Sequence, residues 1–310
     1  MKITIIAPKN VMKLLNSTLP ALVLLFLLSC NNNEPAPGDK PTTASKPKRE
    51  KINWKKPSTN TYHFEPVRQW LGKGKQVKDT TGIDVILAVN RTDSANLGSM
   101  DSILVPDDLS GDVASYMHFP ESVSSLADVD KIVLFSYPTQ TFAAYENGNL
   151  VQAGPTNMGR KKDPTPTGLF FSNWKAVETT STFNDEWNLR WNFNIQNTEG
   201  IGWHQYALPG YPASHSCLRL QTNDAKKLYD WADQWKLEGA DKILANGTPA
   251  IVFGSYDFDA KKPWLSLAAD PKALDISESA INELVKPSLA KILAEQEKTN
   301  KLRGSTVAAR

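Results

Sequence analysis

The chain contains only two cysteines, and each lies in a sequence context that explains it without the other. Cys30 ends the sequence Leu-Leu-Ser-Cys after a short apolar run, whereas Cys217 lies in Ser-His-Ser-Cys-Leu-Arg-Leu, thirteen residues after His204. Cys30 indicates where the protein is located, and Cys217 indicates its chemistry. Together they predict an exported enzyme with an unpaired thiol, so the fold has to form without an internal disulfide.

The amino terminus has the composition of a targeting segment. Three lysines precede the apolar run Ala21–Leu28, which is far shorter than the about 20 residues that a membrane-spanning helix needs. The sequence up to Cys30 resembles the lipobox of bacterial lipoproteins, in which the cysteine is acylated and becomes the first mature residue. Residues 1–30 are therefore predicted to be a lipoprotein signal peptide. The alternative is an ordinary secretory signal in which this cysteine is incidental.

The next two segments are predicted to be a linker and a small N-terminal region. Residues 31–60 are rich in Asn, Pro, Thr and Lys, a composition that buries too little surface to order a chain, so they are expected to form a flexible linker. Residues 61–128 contain one apolar run, Ile83–Val89, which suits either a helix or a strand, and a short strand ending at Pro106. This region faintly resembles a degenerate LysM-like module, but a plain scaffold is the favoured interpretation.

Residues 129–256 carry the pattern of a mainly β domain. Asn147-Gly148 between two apolar runs predicts a tight hairpin, and Leu189–Ile195 alternates apolar and polar residues as a half-buried strand does. Asp224–Trp235 has helical spacing with Asn223 as its expected N-cap. Residues 257–310 are expected to form a helical C-terminal extension, interrupted near a proline.

Composition excludes some classes of function. The 310 residues carry a formal net charge of +2, which argues against nucleic acid as a partner, because phosphate recognition needs a concentrated basic surface. Neither a nucleotide-binding loop nor a metal-binding motif occurs in the sequence, so no cofactor and no metal are expected.

The chemistry expected of Cys217 is nucleophilic. A free thiol has a pKa of about 8.5 and needs a base to become reactive at neutral pH. His204 and His215 are both close in sequence, and an imidazole within hydrogen-bond reach can accept the thiol proton. A zinc site is the rival use of these residues, but one Cys and two His leave its ligand shell incomplete. His63 and His118 are expected to be surface or packing residues.

The segment Ser214–Leu220 resembles the Ser-His-Gly-Cys signature of L,D-transpeptidases, the YkuD-type domain. The resemblance extends over residues 131–255, because the hairpin at Phe142–Gly148, then Met158-Gly159, then Thr165–Gly168 occur in the family's order. It implies a β-sandwich catalytic domain with flanking helices, preceded by the small N-terminal region and followed by the helical arm. It also implies that the partners are peptidoglycan stem peptides, reached from a lipid anchor at Cys30 in the periplasm, with the outer membrane favoured.

The resemblance further implies a reaction. Cys217 would attack the L-centre carbonyl of meso-diaminopimelate in a tetrapeptide stem and release D-Ala. The thioester would then pass to an amine of a second stem, which gives a 3→3 cross-link. His204 would act as base and then as acid, and the backbone carbonyl of Gln205 would orient it. An oxyanion site would be formed by the N–H groups of Ser216 and Cys217 together with His215.

Two further implications concern single residues. Arg219 would meet a substrate carboxylate, because a guanidinium pairs well with that group. Ser216 stands where the family has glycine, and if the site needs a positive φ, serine costs about 1 kcal/mol or more there. Two alternative functions stay open: an L,D-carboxypeptidase or hydrolase that uses water as acceptor, and a non-catalytic peptidoglycan-binding lipoprotein.

Overall fold

The computed structural model describes residues 51–74, 80–181 and 187–308. The predicted signal peptide, the lipidation at Cys30 and most of the predicted linker lie outside these residues. Within them, no helix is both long and apolar enough to cross a membrane. Residues 51–60, at the end of the predicted linker, lie against the folded region: the backbone N–H of Lys55 donates to Asp112 Oδ2 at 2.7 Å.

The N-terminal region is built in the order strand, helices, strand. The apolar run Ile83–Val89 is helical, and its last five residues are buried. Asn90 follows this helix and connects it to the closing strand, because its side chain donates to Leu104 O and accepts from Leu104 N, both at 2.8 Å. The elements are β1 (Tyr62–Pro66), α1 (Val67–Gly74), α2 (Thr80–Val89), α3 (Ser94–Leu97) and β2 (Ser102–Pro106), with β1 and β2 antiparallel.

The predicted hairpin is confirmed. Asn147 and Gly148 have φ values of 48° and 74°, the two successive positive values of a type I′ turn. A Cβ on Gly148 would lie 2.6 Å from Val123 O, so this position also requires glycine for space. Three neighbouring strands result, β3 (Ile132–Ser136), β4 (Thr141–Glu146) and β5 (Asn149–Asn157).

The prediction of a mainly β region with flanking helices is confirmed. Its strands after β5 are β6 (Gly168–Phe171), β7 (Lys175–Thr180), β8 (Asn188–Gln196), β9 (Ile201–Gln205), β10 (Leu218–Leu220), β11 (Lys236–Glu238), β12 (Lys242–Ala245) and β13 (Pro249–Phe253). Strand β10 is parallel to β9 and antiparallel to β5, which brings three distant segments to one place. In the described chain, nine strands of this region form one curled sheet in the order β6-β13-β3-β4-β5-β10-β9-β8-β7.

The predicted helix after β10 is present, but its ends differ from the prediction. Helix α4 (Thr222–Trp231) begins after Gln221, so Asn223 lies in its first turn and is not the N-cap. The backbone turns extended at Ala232, with ψ of 148°, and Trp235 therefore lies beyond the helix. Ala232, directly after the helix, is still buried in the core between the sheet and α4, so the apolar spacing extends past the end of the helix.

The helical C-terminal arm is confirmed as two helices, α5 (Glu278–Val285) and α6 (Leu289–Ala308), separated by the segment that contains Pro287. Short 3₁₀ turns occur at Val113–Tyr116, Ser124–Leu126 and Pro263–Ala268.

Buried residues of the N-terminal region, the sheet and the C-terminal arm share one hydrophobic core, as Val85, Leu134 and Ile281 illustrate. A second core lies between the sheet and α4 and includes Phe193 and Trp203.

Candidate active site

The upstream histidine lies in strand β9, and the thiol directly precedes the neighbouring parallel strand β10. His204 is in β9 and is paired with Arg219 in β10, and Cys217 directly precedes β10. Cys217 is a free cysteine, and its Sγ lies 3.8 Å from the carbonyl oxygen of Gly200 at the start of the neighbouring strand. The pairing of β9 with β10 therefore brings together two residues that are thirteen positions apart.

His204 is held in one tautomer by its own neighbour. The side chain is 3% exposed, and its Nδ1 lies 3.0 Å from the carbonyl oxygen of Gln205. A carbonyl only accepts hydrogen bonds, so Nδ1 carries the proton and Nε2 is left as an acceptor. The sequence resemblance implied an orienting role for the Gln205 carbonyl, and the structure places this carbonyl within hydrogen-bond distance of the ring.

Both reactive groups are electrically neutral at neutral pH. Burial lowers the pKa of His204 to about 4, and the positive charge of Arg219 acts in the same direction. Burial raises the pKa of the Cys217 thiol, although a hydrogen bond from the Gly202 backbone and the charge of Arg219 oppose this. The site therefore holds a neutral thiol and a neutral imidazole in one pocket.

Ser216, directly before the thiol, has a φ of 74°. This is the left-handed region, which serine adopts at a cost of about 1–2 kcal/mol relative to its usual conformations. Its side chain donates to Asp163 O at 3.3 Å, and its carbonyl accepts from the Thr165 hydroxyl at 2.9 Å. Serine therefore takes the conformation for which the family uses glycine, and the loop before β6 holds it there.

That loop depends on Gly159 and Thr165. The Thr165 hydroxyl accepts from Gly159 N at 2.8 Å while it donates to Ser216. A Cβ on Gly159 would lie 2.2 Å from Asp163 O and 2.4 Å from Thr165 N, so only glycine fits. In the sequence, both residues stand out only as parts of motifs that occur in the family's order.

His215 lies at the rim of the site. Its ring meets Trp187 edge-on at 4.9 Å between centroids, and its Nδ1 is 3.7 Å from Asp163 Oδ2 and 3.5 Å from a terminal nitrogen of Arg160. Burial and the charge of Arg160 lower its pKa, and Asp163 opposes them. No local sequence pattern indicates the contact of Trp187 with His215, because it depends on the tertiary fold.

Arg219 lies beside the thiol. Its guanidinium stacks over the Tyr206 ring at 4.6 Å from the ring centre, and one terminal nitrogen donates to Ala207 O at 3.3 Å. No carboxylate in the described part of the chain forms an ion pair with it. A half-buried guanidinium without a counter-ion is suited to bind an anionic group.

A small pocket brings these side chains together. The residues that line it are Ser181, Trp187, Leu189, His204, Tyr206, Ser214, His215, Cys217 and Arg219. Ser214 supports the loop, since its hydroxyl donates to Cys217 O at 2.5 Å.

Elsewhere, His63 is 50% exposed beside Asp107 and His118 contacts Asp275. In the described ranges, no three His, Cys, Asp or Glu side chains are grouped closely enough to hold a metal ion.

Comparison with known proteins agrees with the sequence resemblance. Residues 130–252 match the family model described as YkuD, the L,D-transpeptidase catalytic domain. This confirms the resemblance for that part of the chain, and the family is one of cysteine-dependent enzymes that act on the cell wall. No curated protein is similar enough to count as a relative.

Three solved structures illustrate the similarity. An L,D-transpeptidase from Stackebrandtia nassauensis is 25% identical, with 41% of this chain and 56% of that chain covered and a TM-score of 0.34. One from Mycobacterium smegmatis is 20% identical, with coverage of 40% and 59% and a TM-score of 0.32. One from Enterococcus faecium is 20% identical, with coverage of 40% and 50% and a TM-score of 0.31. This chain thus spans between half and three fifths of their lengths.

Proposed function

We propose that this protein is a peptidoglycan L,D-transpeptidase that forms 3→3 cross-links through a thioester on Cys217. The observation that carries the proposal is the placement of a free thiol and a single-tautomer imidazole on adjacent strands that line one pocket. A nucleophile, a base and a group that orients the base are the three parts of a cysteine acyl-transfer site.

The first half-reaction acylates the enzyme. His204 Nε2 accepts the thiol proton as Sγ attacks the L-centre carbonyl of meso-diaminopimelate in a tetrapeptide stem. The C–N bond to the terminal D-Ala breaks, and His204 returns the proton to the leaving amine. Because the thiol and the imidazole are both neutral before the reaction, substrate binding does not have to remove water from a pair of charged side chains. The low pKa of the imidazole favours return of the proton.

The oxyanion of the tetrahedral intermediate would be bound by the N–H groups of Ser216 and Cys217. The left-handed conformation at Ser216 supports this role, because it turns two consecutive peptide groups within the loop that holds the thiol. His215 would complete this site from the rim. Its lowered pKa keeps its ring neutral at neutral pH, so it would act as a hydrogen-bond partner and not as a fixed charge.

Arg219 would bind a carboxylate of the stem peptide. Its guanidinium lacks a carboxylate partner among the described residues, lines the same pocket as the thiol, and is kept in place by Tyr206. The charge of Arg219 lowers the pKa of His204. An anion bound to Arg219 would weaken this effect, so the imidazole would be more basic when substrate is present.

The second half-reaction decides between two functions. If an amine of a second stem attacks the thioester, His204 accepts its proton, the C–S bond breaks, the proton passes to the departing sulfur of Cys217, and a 3→3 cross-link forms. If water attacks instead, the protein is an L,D-carboxypeptidase or hydrolase. Trp187 at the rim favours transfer, because an aromatic wall beside the thioester limits the access of water.

The location of the protein belongs to the same proposal. Acylation of Cys30 would attach the chain to a bacterial membrane, with the outer membrane favoured, and place the folded region in the periplasm, where stem peptides occur. Several acyl chains are needed for stable attachment. Mass spectrometry of the chain from bacterial membranes, compared with a Cys30→Ala variant, tests this separately from catalysis.

The activity test uses the purified chain with a disaccharide-tetrapeptide and follows protein and products by intact mass. We expect a tripeptide adduct on Cys217 and 3→3 dimers, both absent in Cys217→Ala and His204→Ala. His63→Ala is the matched control, because His63 is exposed and remote from the thiol. An adduct followed only by free tripeptide would identify the hydrolase. No adduct with binding retained would identify a non-catalytic binding protein.

A further inference from the structure

A second cleft, with a volume of about 640 Å³, has no residue in common with the pocket around the thiol. One wall is formed by residues 54–60, which we call the strap. The other walls are formed by residues 114–121 and 275–277, and Leu150 lies at the cleft as well. The cleft is thus built from the beginning, the middle and the C-terminal arm of the described chain.

The strap is hydrogen-bonded to residues 108–115, which lead into the wall formed by residues 114–121. Lys55 and Asp112 exchange two hydrogen bonds, with Lys55 N donating to Asp112 Oδ2 at 2.7 Å and Asp112 N donating to Lys55 O at 2.8 Å. The hydroxyl of Ser115 donates to the same Lys55 carbonyl at 3.0 Å. Further along, Ser58 N and its hydroxyl donate to Asp108 Oδ2, both at 2.6 Å. The cleft is therefore formed before any ligand binds.

The charged side chains of the cleft are paired with one another. Lys56 Nζ is 2.9 Å from Glu121 Oε1, and His118 Nδ1 is 2.9 Å from Asp275 Oδ1. Burial lowers the pKa of His118, and the Nδ1–H of its ring donates to the Asp275 carboxylate. The described lining thus offers no free cation for a carboxylate or phosphate, in contrast to Arg219 at the thiol. It does offer carboxylate oxygens that can accept hydrogen bonds.

The apolar part of the lining includes two aromatic residues, Trp54 and Phe119. Trp54 is partly exposed and packs against the first hydrophobic core, while Phe119 is 8% exposed. A flat ring beside carboxylate oxygens binds a neutral pyranose, because the C–H face of the sugar packs on the ring and its hydroxyls donate to the carboxylates.

Two polar atoms of lining residues have no hydrogen-bond partner in the described structure. They are Trp54 Nε1 and His118 Nε2, both buried. Buried polar atoms normally have a partner in the protein, in water or in a ligand. His118 also has a left-handed φ of 61°, an unfavourable conformation of a kind that is concentrated at ligand sites.

We propose that this cleft binds a neutral saccharide. The biological form of the ligand rests on the proposed function: it would be the glycan of the polymer whose stem peptides reach Cys217. Leu150 at the cleft and Asn157, which pairs with Arg219, are seven residues apart on β5, or about 23 Å along an extended strand. A glycan bound in the cleft would raise the effective concentration of its own stem peptides at the thiol.

The test measures binding of a neutral tetramer of N-acetylglucosamine to the full chain by calorimetry, in a Cys217→Ala background so that catalysis plays no part. Trp54→Ala should weaken binding at least tenfold. Asp275→Asn keeps the shape and the acceptor for His118 but removes the charge, and it should weaken binding several-fold. Trp174→Ala is the matched control, because Trp174 is an exposed tryptophan outside the cleft, and it should bind like the parent.

The outcomes separate this proposal from the proposed function. Absence of saccharide binding, or binding unaffected by Trp54→Ala, would overturn it, as would tighter binding of a sugar-free tetrapeptide at this cleft. Trp54→Ala with Cys217 restored should still form the tripeptide adduct with a sugar-free tetrapeptide. If the parent forms no adduct but binds the tetramer through Trp54, the cleft proposal stands and the transferase proposal fails.

Discussion

The side-chain hydroxyl of Thr165 donates to the carbonyl oxygen of Ser216 at 2.9 Å. It thereby connects the loop before β6 to the residue that precedes the thiol, 51 positions later in the chain. The same oxygen accepts from Gly159 N at 2.8 Å, and Thr165 is 3% exposed. One buried hydroxyl thus determines the position of the backbone next to Cys217.

Replacing Thr165 by valine should therefore impair both stability and acylation. Valine has nearly the same shape but leaves Gly159 N–H and Ser216 C=O without partners, which costs about 2–3 kcal/mol of unfolding free energy. Urea denaturation and the rate of adduct formation on Cys217 measure the two effects. Thr165→Ser should retain most of both. Thr167→Val, at an exposed position of the same motif, should resemble the parent, and an equal loss there would refute the explanation.

Replacing Ser216 by glycine should relieve the left-handed conformation at φ 74°. The relief is partly offset by the lost hydrogen bond to Asp163 and by the greater freedom of glycine in the unfolded chain. The net gain in unfolding free energy should therefore be about 1 kcal/mol or less. Thermal unfolding measures this gain, and Ser216→Ala should instead be destabilised, since it keeps the Cβ and loses the hydrogen bond. A glycine variant less stable than the alanine variant would contradict the interpretation.

His204 should make the protein less stable in acid. Its pKa is about 4 in the folded state against an ordinary value of 6.5, so between these values the unfolded chain binds the proton and the folded chain does not. Stability from this group is complete above about pH 6.5 and is lost as the pH falls towards 4.

The expected loss between pH 7 and pH 5 is about 2 kcal/mol. Urea titrations at several pH values, on the parent and on His204→Asn, measure it as the difference between the two slopes. Burial also lowers the pKa of His118, so some acid sensitivity should persist in the variant. Identical slopes for the two proteins would show that His204 is not buried as a neutral ring. The acylation rate should fall over the acidic part of the same range, because protonated His204 cannot accept the thiol proton.

Asp224 should have the opposite dependence on pH. Burial raises its pKa to about 6, and a Cβ on Gly154 would lie 2.5 Å from its Oδ2, which shows how closely the carboxylate packs on β5. The folded state holds the proton more tightly than the unfolded state. The cost of burying the charge is therefore complete above about pH 6 and disappears as the pH falls towards 4.

Asp224→Asn should consequently stabilise the protein by about 1–2 kcal/mol at pH 7.5 and by little at pH 4. Asparagine keeps an oxygen that can accept from Gln152 Nε2, now at 3.0 Å. Urea denaturation at the two pH values measures the effect. Asp230→Asn, at an exposed position on the same helix, should show no such dependence on pH. Destabilisation of Asp224→Asn at pH 7.5 would mean that the charge is needed in the folded state.

The hairpin and the strands were predictable from the sequence, because they depend on local patterns. Asn147-Gly148 specifies its turn through backbone conformation, and the alternation in Leu189–Ile195 specifies a strand. The ends of α4 were not predictable in the same way. Asn223 has a side chain that suits an N-cap, but the helix begins at Thr222. The apolar spacing up to Trp235 does not indicate where the helical backbone ends.

The sequence alone determined that a thiol, two histidines and an arginine would be close together, because Ser214–Leu220 is a contiguous segment and His204 precedes it by a short loop. Only the tertiary structure decided the state of these groups. The low pKa of His204, the stacking of Arg219 on Tyr206 and the left-handed Ser216 depend on burial and on contacts with residues such as Thr165 and Asp163. Such contacts join strands that are distant in the chain, and a linear pattern carries no information about which of them will form.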